Sequence, residues 1–156
     1  MSYLMGTDIG TTGTKTLITD QNGDVIASSY KEYNVLTPKQ GWAEQWPKVW
    51  ITAVYETIRN CLKRSDLEPE EINGLCVSSL YGGSGIPIDK NYKVIRPCII
   101  WADRRATDEC KWVDERIGTE SLFEVTGNVI DPYYGYTKMM WIRNNEPDNW
   151  EKIHRF

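Results

Sequence analysis

Ten residues near the N-terminus, Gly6-Thr7-Asp8-Ile9-Gly10-Thr11-Thr12-Gly13-Thr14-Lys15, constrain the fold more than any other stretch. Tyr3-Leu4-Met5 lead into them and Thr16-Leu17-Ile18-Thr19 lead out, so two strand-like runs meet at a tight turn. The first strand is predicted over residues 3–8 and the second over residues 14–20. Asn22-Gly23 follows, the strongest short hairpin signal and suited to a type I′ turn. Residues 25–33 are therefore expected to pair back as a third strand, completing an antiparallel meander.

The bend has a chemistry of its own. Gly10 and Gly13 lack a Cβ, which lets the backbone turn back and approach a ligand closely. Thr11, Thr12 and Thr14 add hydroxyl donors beside consecutive N–H groups, a donor set suited to a polyanion such as a nucleotide phosphate tail. Lys15 adds a positive point charge. Asp8, at the end of the first strand, is placed to hold Mg²⁺ directly or through water, since that ion takes carboxylate, water and phosphate oxygens. The spacing is neither Gly-x-x-x-x-Gly-Lys-Ser/Thr nor a Gly-x-Gly-x-x-Gly that opens a helix. An ordinary Gly/Thr-rich hairpin, with Asp8 as a solvated turn residue, has the same composition, and spacing alone leaves both readings open.

With 156 residues the chain is long enough for one domain with a real core. A net charge of -4 without a long basic run argues against a nucleic-acid surface or an anionic membrane. No apolar run approaches the roughly 20 residues of a membrane span, and no secretory signal opens the chain, so a cytoplasmic protein is expected. Cys61, Cys76, Cys98 and Cys110 are far apart, and His154 is the single histidine. Buried reduced thiols are expected rather than a zinc site.

Downstream, Pro38 and Gly41 mark a loop over residues 37–45, with Trp42, Trp46 and Trp50 around it. Trp46 and Trp50 are expected to be core or helix-edge aromatics. Pro47 suits a first helical position. Trp50, Val54, Ile58 and Cys61, with Ile51 and Leu62, recur at three- and four-residue spacing, which predicts a helix over the sheet. Glu68-Pro69-Glu70-Glu71 turns the chain into a buried strand over residues 72–79. Tyr81-Gly82-Gly83-Ser84-Gly85 then reads either as room for a bulky ligand or as a flexible connection. A turn and strand are expected over residues 91–101. Asp103 precedes a helix bearing Ala106, Cys110, Val113 and Ile117 and is placed as its N-cap, with Arg105 pairing an acidic neighbour at the surface. Thr119 is expected to cap a short helix that ends at Gly127. Asp131-Pro132-Tyr133 is a turn signal. Lys138, with Met139 to Arg143, begins a further helix, and residues 150–156 keep helical spacing.

Asp8-Ile9-Gly10-Thr11-Thr12-Gly13-Thr14-Lys15 resembles the first phosphate motif of the FGGY carbohydrate kinases, the group of glycerol kinase, xylulokinase and gluconokinase. Three further stretches resemble that family in the same order. They are Gly41-Trp42-Ala43-Glu44-Gln45 leading to Trp50, Ile100-Trp101-Ala102-Asp103-Arg104-Arg105, and Asp131-Pro132-Tyr133 with Thr137-Lys138. The first motif is shared in outline with other actin-like ATPases; the four together span nearly the whole chain.

The resemblance implies an α/β, actin-like ATPase (ribonuclease H-like) domain: a mixed sheet whose N-terminal antiparallel meander is flanked by helices. Residues 1–156 would form part of the first domain, with its C-terminal part and a whole second domain lying outside the chain. The implied reaction moves the γ-phosphate of ATP, with Mg²⁺, to a hydroxyl of a sugar or polyol. Gly10, Thr11, Thr12, Gly13, Thr14 and Lys15 would hold the phosphates and Asp8 the metal. Trp42, Tyr81, Gly82, Asp103 and Tyr133 would face the acceptor, Glu44 would border it, and for Asp103 this role stands beside the helix cap. In the family the strand before Tyr81 ends in a polar pair, Arg-Glu in glycerol kinases and Met-His in xylulokinases. Tyr81-Gly82 matches neither, so neither specificity carries over. The family's general base is an aspartate in a motif beyond Phe156, so no catalytic residue is assigned here and the isolated chain is expected to show at most trace activity. The alternative is a reductase-activator ATPase, which opens with a similar hairpin but lacks the Trp-Ala-Glu-Gln and Asp-Pro-Tyr stretches. A homodimer is left open.

Overall fold

The computed structural model describes residues 2–79 and 82–156. In chain order its elements are β1 (Tyr3–Ile9), β2 (Gly13–Asp20), β3 (Val25–Glu32), β4 (Glu44–Gln45), α1 (Pro47–Ser65), β5 (Ile72–Ser79), β6 (Cys98–Ile99), α2 (Thr107–Arg116), α3 (Thr119–Thr126), α4 (Gly135–Asn145) and α5 (Pro147–Trp150). They fall into two compact units, Met1–Val35 with Lys48–Leu80 and Leu36–Pro47 with Tyr81–Phe156.

The first unit is built on a sheet of order β3-β2-β1-β5. The meander β1-β2-β3 is antiparallel, whereas β5 lies parallel to β1. This is the mixed sheet expected, and its register decides what α1 covers. Successive strand residues face opposite ways, so Met5, paired with Ile18, and Thr7, paired with Thr16, share the face toward α1. Met5, Ile18 and Cys61 form the core, with Tyr3, Ile58, Leu62, Leu67 and Ile72 packed around it. Beside it the buried Thr16 hydroxyl lies 2.9 Å from that of Thr7 and 2.8 Å from that of Thr57. Thr57 donates onward to the Ala53 carbonyl, which satisfies a polar row inside the core.

Those threonines shift the helix stripe. The fully buried line of α1 is Ala53, Thr57 and Cys61, while Ile51 is exposed and Trp50 half-buried. Small residues let α1 approach the sheet, and the bulky ones flank it. β5 has the expected bounds but not the expected burial: Leu75 and Val77 are exposed, because β5 is a sheet edge and α1 covers β1 and β2. Cys76 is exposed there too, unlike Cys61 and Cys98, and all four cysteines are free. The β2–β3 turn also differs from a type I′ hairpin. Gly23 alone among its residues has positive φ, and Gly23 N–H donates to the Asp20 carbonyl. The Asp20 carboxylate accepts the N–H groups of Asn22 and Asp24, which selects a three-residue loop with Gly23 left-handed.

In the second unit β4 pairs antiparallel with β6. The strand expected over residues 91–101 shrinks to Cys98–Ile99, directly after Pro97, which has no N–H to give a ladder. Trp46 is exposed rather than core. α3 begins at Thr119 after Gly118, and the Thr119 hydroxyl bonds Asp114 instead of capping; Gly127 closes the helix at φ 69° as expected. Residues 150–156 do not form a helix. α5 ends at Trp150, and the N–H groups of His154 and Arg155 turn to the Ile88 carbonyl. Among the described residues no helix is long and apolar enough to cross a membrane.

Candidate functional site

The bend of the first unit closes where Gly10 N–H donates to the Gly13 carbonyl at 2.9 Å, leaving Thr11-Thr12 as its tip. Neither glycine has positive φ; what each supplies is room. A Cβ on Gly10 would lie 3.0 Å from the Gly13 carbonyl oxygen, and one on Gly13 would lie 2.3 Å from the Tyr30 hydroxyl. Glycine at 13 is thus explained by the Tyr30 ring packed across the strands, independently of any ligand. Asp8, Thr12 and Lys15 are exposed and Thr11 half-buried. Asp8 sits opposite Lys15 on β2 and Ser78 on β5. Thr14 corrects one expectation. Strand alternation turns it to the α1 face, where it is fully buried and its hydroxyl lies 3.1 Å from the Tyr33 phenol. Its side chain is therefore not among the donors that the bend displays.

Asp8 fits magnesium in one specific manner. Among the described residues no group of three His, Cys, Asp or Glu side chains is placed to hold a metal. A single exposed carboxylate suits an ion that keeps most of its shell as water and phosphate oxygens.

Four of the five acceptor candidates lie in the second unit; Tyr81 lies outside the described residues. Asp103 is fully buried. One carboxylate oxygen accepts Ala43 N–H at 2.6 Å, and the other accepts Arg105 N–H at 2.9 Å. Arg105 also donates to both oxygens through Nε. This overturns the helix-cap reading: α2 is capped at Ala106, without a side-chain bond. Arg105 is not at the surface either. Its side chain is 1% exposed, with Asp103 at 2.7 Å and Glu44 at 2.7 Å. Glu44 also takes Arg96 at 2.5 Å, and Arg96 reaches Glu146 at 3.0 Å. The Arg105 guanidinium stacks 3.6 Å from the Trp42 ring centre. Lys39 lies 4.7 Å from that same ring, and the edge of Trp141 meets it at 5.2 Å. Trp42 and Asp103 are thus parts of one buried charge cluster that ties residues 41–45 to residues 96–105.

Tyr133 and Gly82 are brought together. Gly82 has φ +85°, and a Cβ there would lie 2.6 Å from Cζ of Tyr133, so the phenol ring covers the Gly82 backbone. Tyr133 N–H donates to Asp131 at 2.7 Å. Arg104 grips Asp131 with two bonds, at 2.5 and 3.0 Å, and these hydrogen bonds hold the Asp131 carboxyl below its ordinary range. The buried Lys138 ammonium donates to the carbonyls of Pro132 and Tyr133. Burial lowers the Lys138 pKa to about 8, against the opposing pull of Asp103 and Asp131. Trp101, 40% exposed, tilts against Tyr133 at 6.2 Å between ring centres. Within the glycine loop, residues 83–84 are packed. Ser84 is buried and donates its N–H to Ile99 at 2.9 Å, and a Cβ on Gly135 would lie 2.4 Å from the Gly83 carbonyl oxygen.

The sequence reading missed Trp101 and the Arg96–Glu44–Arg105 network. Trp101 belongs to the Ile100–Arg105 motif, which carries its signal. The network joins Glu44 to Arg96 and Arg105, two segments distant in the chain, and leaves no local pattern.

A sequence model of the FGGY family of carbohydrate kinases, N-terminal domain, matches residues 3–156. The chain is 33% identical over 156 residues to xylulose kinase of Staphylococcus xylosus, covering all of this chain and 32% of that protein. It is 33% identical to gluconokinase of Bacillus subtilis, over 99% of this chain and 30% of that protein. Ligand-bound xylulose kinase from Lactobacillus acidophilus superposes with a TM-score of 0.89 at 27% identity, over 99% of this chain and 31% of the other. The chain therefore spans about a third of the length of these relatives. The fold is that of these kinases, actin-like and mixed α/β, and the reductase-activator alternative is not favoured. Its four motifs, its fold and its match from residue 3 to residue 156 make this chain a member of the FGGY family of carbohydrate kinases, corresponding to the family's N-terminal domain.

Proposed function

We propose that the chain supplies the phosphate bend and acceptor-facing residues of an ATP-dependent kinase that phosphorylates a hydroxyl of a sugar or polyol. The observation that carries this reading is the bend itself. Asp8, Thr12 and Lys15 stand exposed around a turn in which the carbonyls of Gly10, Thr12 and Gly13 are hydrogen-bonded within the protein. The backbone from Gly10 to Gly13, with Thr11, Thr12 and Lys15, receives the β- and γ-phosphates, and Asp8 orients a hydrated Mg²⁺. Bound magnesium would neutralise the charge that spreads over the phosphoryl oxygens during transfer. Tyr133 donates its phenol to an acceptor hydroxyl while its ring lines the site. Gly82 borders the same place, and the family resemblance alone assigns Tyr81 to the acceptor. Asp103 acts through Arg105 and Trp42, holding the acceptor wall in shape. The general base comes from outside these 156 residues, and a missing positioned base typically costs about 10² to 10⁴ in rate. ATP and sugar supply make the cytoplasm its place of work.

Thermal-shift titration of the chain with MgATP and a panel of sugars and polyols tests the proposal. A ligand at 100 times its Kd stabilises by about 2.7 kcal/mol. We expect MgATP to stabilise the chain, with at most trace phosphate transfer. Failure of MgATP to stabilise it, or sustained transfer by the chain alone, contradicts the assignment.

A further inference from the structure

We infer that Tyr33, which touches no proposed ligand, is the positioning residue that sets the shape of the phosphate bend; the inference rests on the phosphate role of that bend. Tyr33 follows β3 directly and meets the bend twice. Its phenol donates to the Gly10 carbonyl at 2.7 Å, and its N–H donates to the Thr12 carbonyl at 3.1 Å. The Gly13 carbonyl is taken by Gly10 N–H at 2.9 Å. The carbonyls of Gly10, Thr12 and Gly13 are thereby drawn into the protein. A trans peptide points its N–H opposite to its C=O. Holding the carbonyls of Gly10 and Thr12 therefore fixes the directions of Thr11 N–H and Gly13 N–H. A carbonyl oxygen swung outward would present negative charge to a phosphate; an N–H presents the complementary sign.

The hydrogen-bond bookkeeping makes the arrangement directional. The single phenolic proton goes to Gly10, so Thr14, 3.1 Å away and fully buried, donates to the Tyr33 oxygen. Tyr30 completes the support from the same strand, its ring filling the space that a Cβ on Gly13 would need. Burial raises the Tyr33 pKa, so the phenol stays a donor through the physiological range.

The test is Tyr33→Phe in the 156-residue chain, titrated with magnesium pyrophosphate and followed by the backbone amide shifts of residues 10–15. Removing one hydrogen bond that orients the donors should raise the Kd by about tenfold. The shift changes should centre on Thr11 and Gly13. Thr14→Val, which strips the phenol of its second partner and leaves Tyr33 in place, should move the Kd the same way by a smaller factor. A Tyr33→Phe chain that melts lower but binds pyrophosphate as the wild type does would overturn the inference and leave the phosphate role standing. Wild-type chain that does not bind pyrophosphate at the bend would remove the phosphate role, and this inference with it.

Discussion

Replacing Arg105 with methionine should unfold the second unit more readily than any other single change in its charge cluster. Arg105 is 1% exposed and lies between Asp103, which is fully buried, and Glu44, which is 9% exposed. Without it Glu44 and Glu146 still pair with Arg96, whereas Asp103 loses the guanidinium that bonds both its oxygens. Breaking a buried ion pair by removing one partner costs about 3–5 kcal/mol, because a charge is left buried and uncompensated. Methionine keeps most of the packing against Trp42 and Trp141 that the guanidinium stack provides, so the loss is chiefly electrostatic. For a chain of this size that is a fall in Tm of roughly 6–20 °C. Lysine at 105 should fall between, since an ammonium cannot span both Asp103 oxygens and Glu44 at once. Urea denaturation followed by circular dichroism, with Arg104→Ala as the reference, measures the difference. Arg104 pairs with Asp131 on the surface at 53% exposure, where such pairs are worth about 0–1 kcal/mol. Adding Asp103→Leu to Arg105→Met should recover part of the loss, because the pair is then removed together. A cost below about 1 kcal/mol for Arg105→Met, or one no larger than that of Arg104→Ala, would refute the view that this cluster holds the motif segments together.

Gly135→Ala should cost about 1–3 kcal/mol, measured by the same denaturation, since its Cβ meets the backbone of Gly83 at 2.4 Å. Gly13→Ala should cost less, because it meets the end of the half-exposed Tyr30 side chain, which can swing aside. Lys138 has its pKa lowered from 10.5 to about 8 by burial. Keeping it protonated therefore destabilises the fold below pH 8, and its contribution to stability should climb between about pH 8 and 10.5, by up to about 3 kcal/mol. The thiols of Cys98 and Cys110 are shifted up and act in the opposite sense, so the difference between wild type and Lys138→Met across that range isolates the lysine.

The meander was legible in the sequence because its cues are local: apolar runs, a glycine-threonine bend and Asn22-Gly23. The type of the second turn was not, since it depends on where the Asp20 carboxylate points. Periodicity found α1 and part of its core side, since Cys61, Ile58 and Leu62 all meet the core, but it ranked Trp50 and Val54 above Ala53 and Thr57 because it cannot know that the sheet presents threonines. Asp103 read as a cap from its place before a helix, yet the nearest unsatisfied donors were Ala43 N–H, sixty residues earlier in the chain, and the Arg105 guanidinium. The Tyr33 contact was equally hidden, since a tyrosine at the end of a strand is ordinary until the partner carbonyl is seen. Long-range polar pairing is what local pattern does not encode.

In the proposed function Asp8 and the bend meet a magnesium-bound polyphosphate. Manganese in place of magnesium, added with ATP to the isotopically labelled chain, should broaden the amide signals of residues 8–15 first and most strongly. Broadening centred anywhere else, with residues 8–15 sharp at saturating nucleotide, would contradict it.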